Sequence, residues 1–251
     1  MASVFKRYAY DSSGTIGYSR LLVLVTSAFS SYSGCRQYLE DIERAVATLD
    51  SETSLIVDKI RLFYNSAGFI GAVQDNLRKT LIEFEHAPNE DVQILFTAHS
   101  IPKSMADNCD YEVQLTEACT QVMDGFERHP WQLVFQSRSG RPSQPWLGPD
   151  ICDAIEVSDR VNIVVCPIGF VSDHMEVLFD LDLEAKNACE DRHIKFARVA
   201  SVGTNPMFVS GIADLIEQRS GTLEQVLTLG THGEWANRCE LGCCLSSDAE
   251  F

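Results

Sequence analysis

The stretch that decides the fold is residues 161–184, which read VNIVVCPIGFVSDHMEVLFDLDLE. Its β-branched run from Val161 to Val165 predicts a buried strand, because such side chains favour pleated, buried surfaces. Pro167 and Gly169 then interrupt the strand with a loop. The residues that follow predict a helix, so the segment has the strand–loop–helix order of an α/β protein.

The predicted helix carries acidic residues at a regular spacing. His174 lies in its first turn, and Glu176, Asp180 and Glu184 occupy every fourth position. At about 100° per residue, these carboxylates drift by only ~40° per step and lie ~6 Å apart. An imidazole and a row of carboxylates at the end of a strand suit the handling of a divalent cation and of protons. Two structural alternatives stay open: Asp173 caps the helix and Glu176 completes a capping box, or the row is a solvated acidic face.

The length, charge and cysteine content of the chain limit the number of domains, the kinds of partner and the cellular compartment that we expect. The chain has 251 residues, 45% of them hydrophobic, which is enough for one large domain or two small ones. A formal charge of −16 argues against nucleic acid and anionic membrane surfaces as partners, because phosphates need neutralisation by Lys and Arg. The sequence predicts no transmembrane segment and no signal peptide. Nine cysteines without an export signal indicate free thiols in a reducing cytoplasm.

Four segments share the order of apolar strand, polar loop and helical pattern. Strands are predicted at Leu21–Val25, Val92–Ala98, Trp131–Phe135 and Val161–Val165, and helices at Arg36–Leu49, Phe69–Phe84 and Tyr111–Phe126. This alternation predicts a parallel sheet covered on both faces, with ligands bound beyond the carboxyl ends of the strands. Five side chains suited to binding or catalysis fall in or just after those loops: Tyr38, His99, Trp146, His174 and Glu176.

Three motifs together identify a family. They are residues 97–102 (TAHSIP), residues 136–147 (QSRSG followed by PWL) and residues 167–176 (PIGFVSDHME). In order and spacing they resemble the ferrochelatases, which insert ferrous iron into a porphyrin late in haem synthesis. The resemblance runs from about Leu21 to about Glu217. The loop at residues 31–38 (SYSGCRQY) looks most like the bacterial branch that acts on coproporphyrin III, although the sequence leaves protoporphyrin IX open.

The resemblance implies a role for each matching residue. His99 and Glu176 match the residues that flank the porphyrin centre and bind the metal, and His174 matches a second catalytic histidine. Tyr38 and Trp146 match residues that contact the substrate. Asp180 and Glu184 match the acidic ladder that conducts protons or metal ions. The implied ligands are a porphyrin and, as substrate, Fe²⁺.

The resemblance also implies two similar Rossmann-like, chelatase-type domains with parallel sheets. Residues 1–64 are expected to be the remnant of a first domain that is incomplete, because members of the family extend further at the N-terminus. A helix at about 205–220 is expected to pack back on that domain. Residues 65–204 form the second domain, with the metal site. Residues 1–20 predict the tail of a helix, and residues 232–251 a polar extension outside the core.

The C-terminal extension contains three clustered cysteines. Some ferrochelatases hold a two-iron, two-sulfur cluster with one internal cysteine and three near the C-terminus. Cys35, Cys239, Cys243 and Cys244 are the matching candidates for a 2Fe-2S cluster. Four thiolates also suit zinc, and a tail with free thiols is a third possibility.

Three functions follow from these patterns. The first is a ferrochelatase of the coproporphyrin type. The second is a truncated, catalytically deficient homologue that only binds metal or porphyrin. The third and weakest is a chelatase for another tetrapyrrole, against which the motifs at residues 136–140 and 172–176 count.

Overall fold

A computed structural model describes residues 19–49, 55–141, 143–237, 239–240 and 242–246. Its strands are β1 (Arg20–Val23), β2 (Ile56–Lys59), β3 (Val92–His99), β4 (Trp131–Gln136), β5 (Asn162–Cys166) and β6 (Lys195–Arg198). Its α-helices are α1 (Gln37–Val46), α2 (Ala67–Leu81), α3 (Lys103–Ala106), α4 (Tyr111–Met123), α5 (Ile151–Glu156), α6 (Met175–Val177), α7 (Lys186–Asp191) and α8 (Pro206–Ser220). Short 3-10 turns cover Ile82–Phe84 and Asn89–Asp91, and π-helical segments cover Tyr32–Arg36 and Leu178–Ala185. The helix tail expected before the first strand falls almost wholly on residues 1–18, outside the described part.

The described strands form two sheets, and every pairing in them is parallel. β1 pairs with β2, and the larger sheet has the order β4-β3-β5-β6. Parallel sheets confirm the α/β class that the sequence predicted. The sequence analysis missed β2 and β6, because each has only four residues and charged side chains interrupt its apolar pattern.

The four-stranded sheet has a helical layer on each face. Side chains of β3 alternate between the two layers: Ile94 and Phe96 pack with the helices α2 and α4, and Leu95 packs with α5 and the helical segment 175–191. All three side chains are fully buried. This strand is central and covered on both sides, which explains its continuous apolar run.

Helix α8 joins the two sheets. Its body packs on α2, where the backbones approach so closely that a Cβ on Gly68 would lie 2.7 Å from the Cα of Gly211. Its end reaches the small sheet, where Arg219 pairs with the buried Asp58 at 2.6 Å and Arg20 pairs with the same carboxylate at 2.7 Å. None of the helices in the described residues is long and apolar enough to cross a membrane.

The described part of the C-terminal extension packs against the body of the protein, which the sequence analysis did not predict. The Asn65 side-chain amide donates to the carbonyl of Gly233 at 2.7 Å, and the Trp235 ring packs edge-on against Tyr64. Cys244 is buried, and its amide donates to the carbonyl of Asn108. A few apolar side chains in a polar segment are enough to dock it, and hydropathy averaged over the segment hides them.

Candidate active site

A cleft of about 420 Å³ opens at the carboxyl ends of β3 and β5. One wall comes from the loop after β1, and the other from the loops after β3, β4 and β5. Its lining residues include Thr26, Ser27, Ser31, Ser33, Tyr38, His99, Ser100, Trp146, Gly169, Phe170, His174 and Glu176. The five side chains that the sequence assigned to strand ends, including both histidines, therefore meet in one cleft, as parallel topology requires.

The imidazole of His99 is held in one tautomer. Its Nδ1 lies 2.5 Å from the carbonyl oxygen of Ser100, which can only accept, so Nδ1 carries the proton. In the neutral imidazole, Nε2 then carries the lone pair that can bind a metal ion or a proton. The neighbouring backbone is tied down as well: the Tyr111 hydroxyl donates to the His99 carbonyl, and the Ser100 amide donates to the Gln136 carbonyl.

The carboxylate of Glu176 is not used as a helix cap. Asp173 lies before the helix but points to Arg198, at 2.9 Å, and accepts hydrogen bonds from the amide and hydroxyl of Ser201. The capping position is held by His174, whose side chain makes no capping hydrogen bond. The capping-box alternative was therefore wrong. Glu176 is exposed to the cleft and makes no hydrogen bond or ion pair within the described residues.

The helix after His174 is π-helical over Leu178–Ala185, where the sequence analysis assumed an ordinary α-helix. The amide of Lys186 bonds back to the carbonyl of Leu181, five residues earlier. A π-helix has a wider turn than an α-helix, which keeps residues four apart on one face. Buried apolar residues follow the same four-residue spacing as the carboxylates, at Val177, Leu181 and Ala185.

Asp180 and Glu184 do not line the cleft. Asp180 accepts hydrogen bonds from the Gln136 amide, at 3.1 Å, and from the hydroxyl of Ser137 in the loop after β4. Glu184 is exposed. Burial, followed by the charges of neighbouring carboxylates that include Glu184, raises the pKa of Cys152 to about 11. The acidic row thus creates a negative field beside α5, and its role as a conduit stays a prediction.

Trp146 presents an unsatisfied donor. Its indole Nε1 is buried and has no hydrogen-bond partner in the described residues. Gly140, with a positive φ of 122°, lies against the ring, where a Cβ would come within 3.0 Å of Cζ2. A buried N–H without a partner is energetically costly and uncommon in folded proteins.

The loop after β1 adds a wall of hydroxyl groups that the sequence analysis did not single out. Thr26, Ser27, Ser31 and Ser33 line the cleft, although Ser31 also caps the π-turn by accepting from the Gly34 amide. The signal in the sequence was the serine-rich segment directly after the first strand.

The four candidate cysteines come together in two pairs. The sulfurs of Cys35 and Cys239 lie 3.9 Å apart, and those of Cys243 and Cys244 lie 3.4 Å apart. Thiol hydrogen bonds from Cys239 and Cys244 lower the pKa of the buried Cys35. All nine cysteines are free. No group of three or more His, Cys, Asp or Glu side chains in the described ranges is arranged to hold a metal ion.

Comparison with known proteins identifies the protein family that the chain resembles in sequence. The ferrochelatase family model matches residues 7–220. The chain is 49% identical to a ferrochelatase of Rhodopirellula baltica, over 91% of this chain and 66% of that protein. It is 41% identical to a coproporphyrin III ferrochelatase of Streptomyces coelicolor, over 91% of this chain and 67% of that protein. The chain thus spans about two thirds of the length of these curated relatives.

Solved structures share the fold at low sequence identity. The protein SirB from Bacillus subtilis, solved with Fe³⁺, is 12% identical, with a TM-score of 0.54 over 82% of this chain and 75% of that one. DR2241 from Deinococcus radiodurans, described as similar to chelatases, has a TM-score of 0.52 at 15% identity, over 79% of this chain and 41% of that one. The α/β fold of this chain is therefore similar to that of the chelatases.

Proposed function

This chain belongs to the ferrochelatase family, and we propose that it inserts Fe²⁺ into a porphyrin in haem synthesis. The observation that carries the proposal is the pairing of His99 and Glu176 in one cleft, with Nε2 of His99 left basic and the Glu176 carboxylate unpaired within the described residues. Insertion replaces two pyrrole protons by one Fe²⁺, so the site must accept protons and hold a divalent cation at the same time. Imidazole and carboxylate supply both functions.

We assign the proton-accepting role to His99 and the first capture of iron to Glu176. A tautomer fixed by the Ser100 carbonyl keeps the basic nitrogen constant in position, which favours proton transfer. Glu176 stands on an exposed helix start, where a hydrated cation can reach it. His174 lines the same cleft and stacks edge-on against Phe170 at 5.2 Å, so it is placed to share either role.

We propose coproporphyrin III as the porphyrin. Coproporphyrin has four propionates, whereas protoporphyrin IX has two propionates and two vinyl groups. The cleft wall at Thr26 and Ser33 offers hydroxyl groups, which match propionates better than vinyls. Relatives that match at 41% and 37% identity bear the name coproporphyrin III ferrochelatase.

Anaerobic assays with the two porphyrins test this function. Fe²⁺ and coproporphyrin III are incubated with the chain, and insertion is followed by the loss of porphyrin fluorescence. We expect turnover with coproporphyrin III that exceeds turnover with protoporphyrin IX. Binding of porphyrin without insertion would leave only the binding-protein alternative, and insertion of metal into sirohydrochlorin alone would point to a chelatase for another tetrapyrrole.

We further propose that Cys35, Cys239, Cys243 and Cys244 hold a 2Fe-2S cluster. Two thiolates on one tetrahedral ion, each about 2.3 Å from it, lie roughly 3.8 Å apart. The two observed pairs, at 3.9 and 3.4 Å, are near this value. A two-iron cluster takes two cysteines on each iron, whereas zinc needs all four around one point. The Cys35 thiol also interacts with Cys244, which links the two pairs. A bound cluster would tie the C-terminal stretch to the first sheet.

Anaerobic purification tests the cluster. We expect brown protein with about two irons and two acid-labile sulfides per chain, and Cys239→Ser should remove the colour. Cys152→Ser, a change on the remote helix α5, is the matched control and should keep it. Colourless protein with stoichiometric zinc would contradict the cluster, as would four freely alkylated thiols.

The nine free cysteines also support our placement of the protein in the reducing cytoplasm.

A further inference from the structure

Arg198 holds both ends of the segment that carries the iron-side residues. Its guanidinium makes two hydrogen bonds to Asp182, at 2.6 Å from Nε and 3.1 Å from Nη2. Its Nη1 lies 2.9 Å from Asp173. One half-buried side chain on β6 therefore bridges the residue before His174 and a residue in the π-helical part of the same helix.

The segment needs such a clamp because its own structure is weak. α6 has only three residues and no side-chain cap, and the segment that follows is a π-helix, a rare type of helix that occurs mostly as single turns. Asp173 is further fixed by the amide and hydroxyl of Ser201. A bidentate guanidinium–carboxylate pair is among the more directional contacts in proteins, and the arginine is only 14% exposed.

We infer that Arg198 is a positioning residue for iron capture, which rests on the proposed function: it fixes the helix start so that Glu176 and His174 face the cleft. Arg198 lies outside the lining of the cleft, so it acts through Asp173 and Asp182 and not on the substrate. Its loss should misplace the metal-side carboxylate while leaving the porphyrin wall at residues 26–38 unchanged. The expected defect is therefore specific to iron.

The test compares Arg198→Met with wild type in two measurements, anaerobic calorimetry of Fe²⁺ binding without porphyrin and steady-state insertion. We expect the Kd and the KM for Fe²⁺ to rise about tenfold, and the KM for porphyrin to change less than twofold. Arg198→Lys keeps the positive charge but loses the bidentate geometry of the guanidinium. Its Kd and KM for Fe²⁺ should lie between those of wild type and Arg198→Met. Lys186→Met, which breaks a surface ion pair on the same helix, is the control and should match wild type.

A further variant keeps the inference testable if Arg198→Met fails to fold. Asp182→Asn breaks the same contact from the other side, so its effect on Fe²⁺ affinity should not add to that of Arg198→Lys. Normal Fe²⁺ affinity with a lowered Tm would reduce Arg198 to a structural role and overturn the inference. An absence of Fe²⁺ binding by wild type would overturn it too. Wild type that binds Fe²⁺ with the predicted dependence on Arg198, but never inserts it, would refute the proposed function and leave the positioning role standing.

Discussion

The two sheets support opposite walls of the cleft and differ in how firmly they are built. β3 has a hydrogen-bonded neighbour on each side, and its residues 94–98 are fully buried. β1 has one neighbour among the described strands, and each of its four residues is at least partly exposed. His99 is the last residue of β3, whereas the hydroxyl-bearing loop at residues 26–33 follows β1. The proposed proton acceptor thus stands on the well-packed side, and the hydroxyl groups proposed to contact the porphyrin stand on the weaker side.

This difference has a physical meaning for the reaction. Proton transfer needs a group held within a fraction of an ångström, and the buried central strand that ends at His99 provides this. A macrocycle that must enter and leave gains from a wall with fewer buried contacts, because such regions open at lower free-energy cost. The C-terminal stretch reinforces this weaker side, since it docks on Tyr64 and Asn65 just after β2.

The largest expected effect tests the difference in packing directly. Phe96→Ala should cost about 3–5 kcal/mol in the free energy of unfolding, because the ring is fully buried and packs edge-on against Trp131. Leu21→Ala on β1 should cost only about 1 kcal/mol, because the side chain is already partly exposed. Urea unfolding measures both. Equal losses in the two variants would break the comparison.

The next effect concerns iron insertion and tests His99, on the well-packed side of the cleft. His99→Ala should lower the rate of iron insertion by about 100-fold or more, the range for loss of a general base, while the Tm stays close to wild type. His86→Ala is the matched control, because that imidazole is almost fully exposed and remote from the cleft. Fluorescence assays of insertion compare the three proteins. An unchanged rate in His99→Ala would contradict the assigned role.

The smallest effect concerns the docked C-terminal stretch. The Oε1 atom of the buried Glu117 accepts from the amides of Thr231 and His232, at 2.6 and 3.2 Å, and lies 2.8 Å from the His232 imidazole. Burial raises the pKa of Glu117, but these hydrogen bonds outweigh it and hold the pKa below its usual value. Glu117→Gln should therefore destabilise the stretch by about 1–2 kcal/mol at neutral pH, the usual loss for a charged hydrogen bond.

The sign of the pH dependence follows from the lowered pKa. Glu117 contributes stability above the ordinary carboxyl pKa of about 4.3, and this contribution is lost as the pH falls through the lower folded value. Hydrogen exchange of residues 227–237 at pH 7 and pH 4 measures it, and the gap between wild type and Glu117→Gln should narrow at the lower pH. Glu112→Gln, an exposed change on the same helix, is the control. Identical exchange in wild type and Glu117→Gln at pH 7 would show that the carboxylate does not anchor the stretch.

Most of the strands could be predicted from the sequence, since three of the four predicted ones are within about one residue of the observed bounds and the first within about two. Their apolar runs record burial on both faces, which is a local consequence of composition. β2 escaped prediction because its Asp58 is buried in ion pairs with Arg20 and Arg219, residues 38 and 161 positions away. Such distant partners leave no periodic trace in the sequence.

The sequence by itself determined which residues reach the cleft. The carboxyl ends of parallel strands share one edge, so His99, Trp146 and Glu176 converge whatever the details of packing. Only the tertiary structure decided how each is used. The carbonyl of Ser100 sets the tautomer of His99, and Arg198 takes Asp173 away from the helix cap and leaves Glu176 free to face the cleft. The order of strands and helices can be predicted from local patterns of apolar residues in the sequence. Hydrogen-bond partners, in contrast, depend on contacts that form only when distant segments fold together.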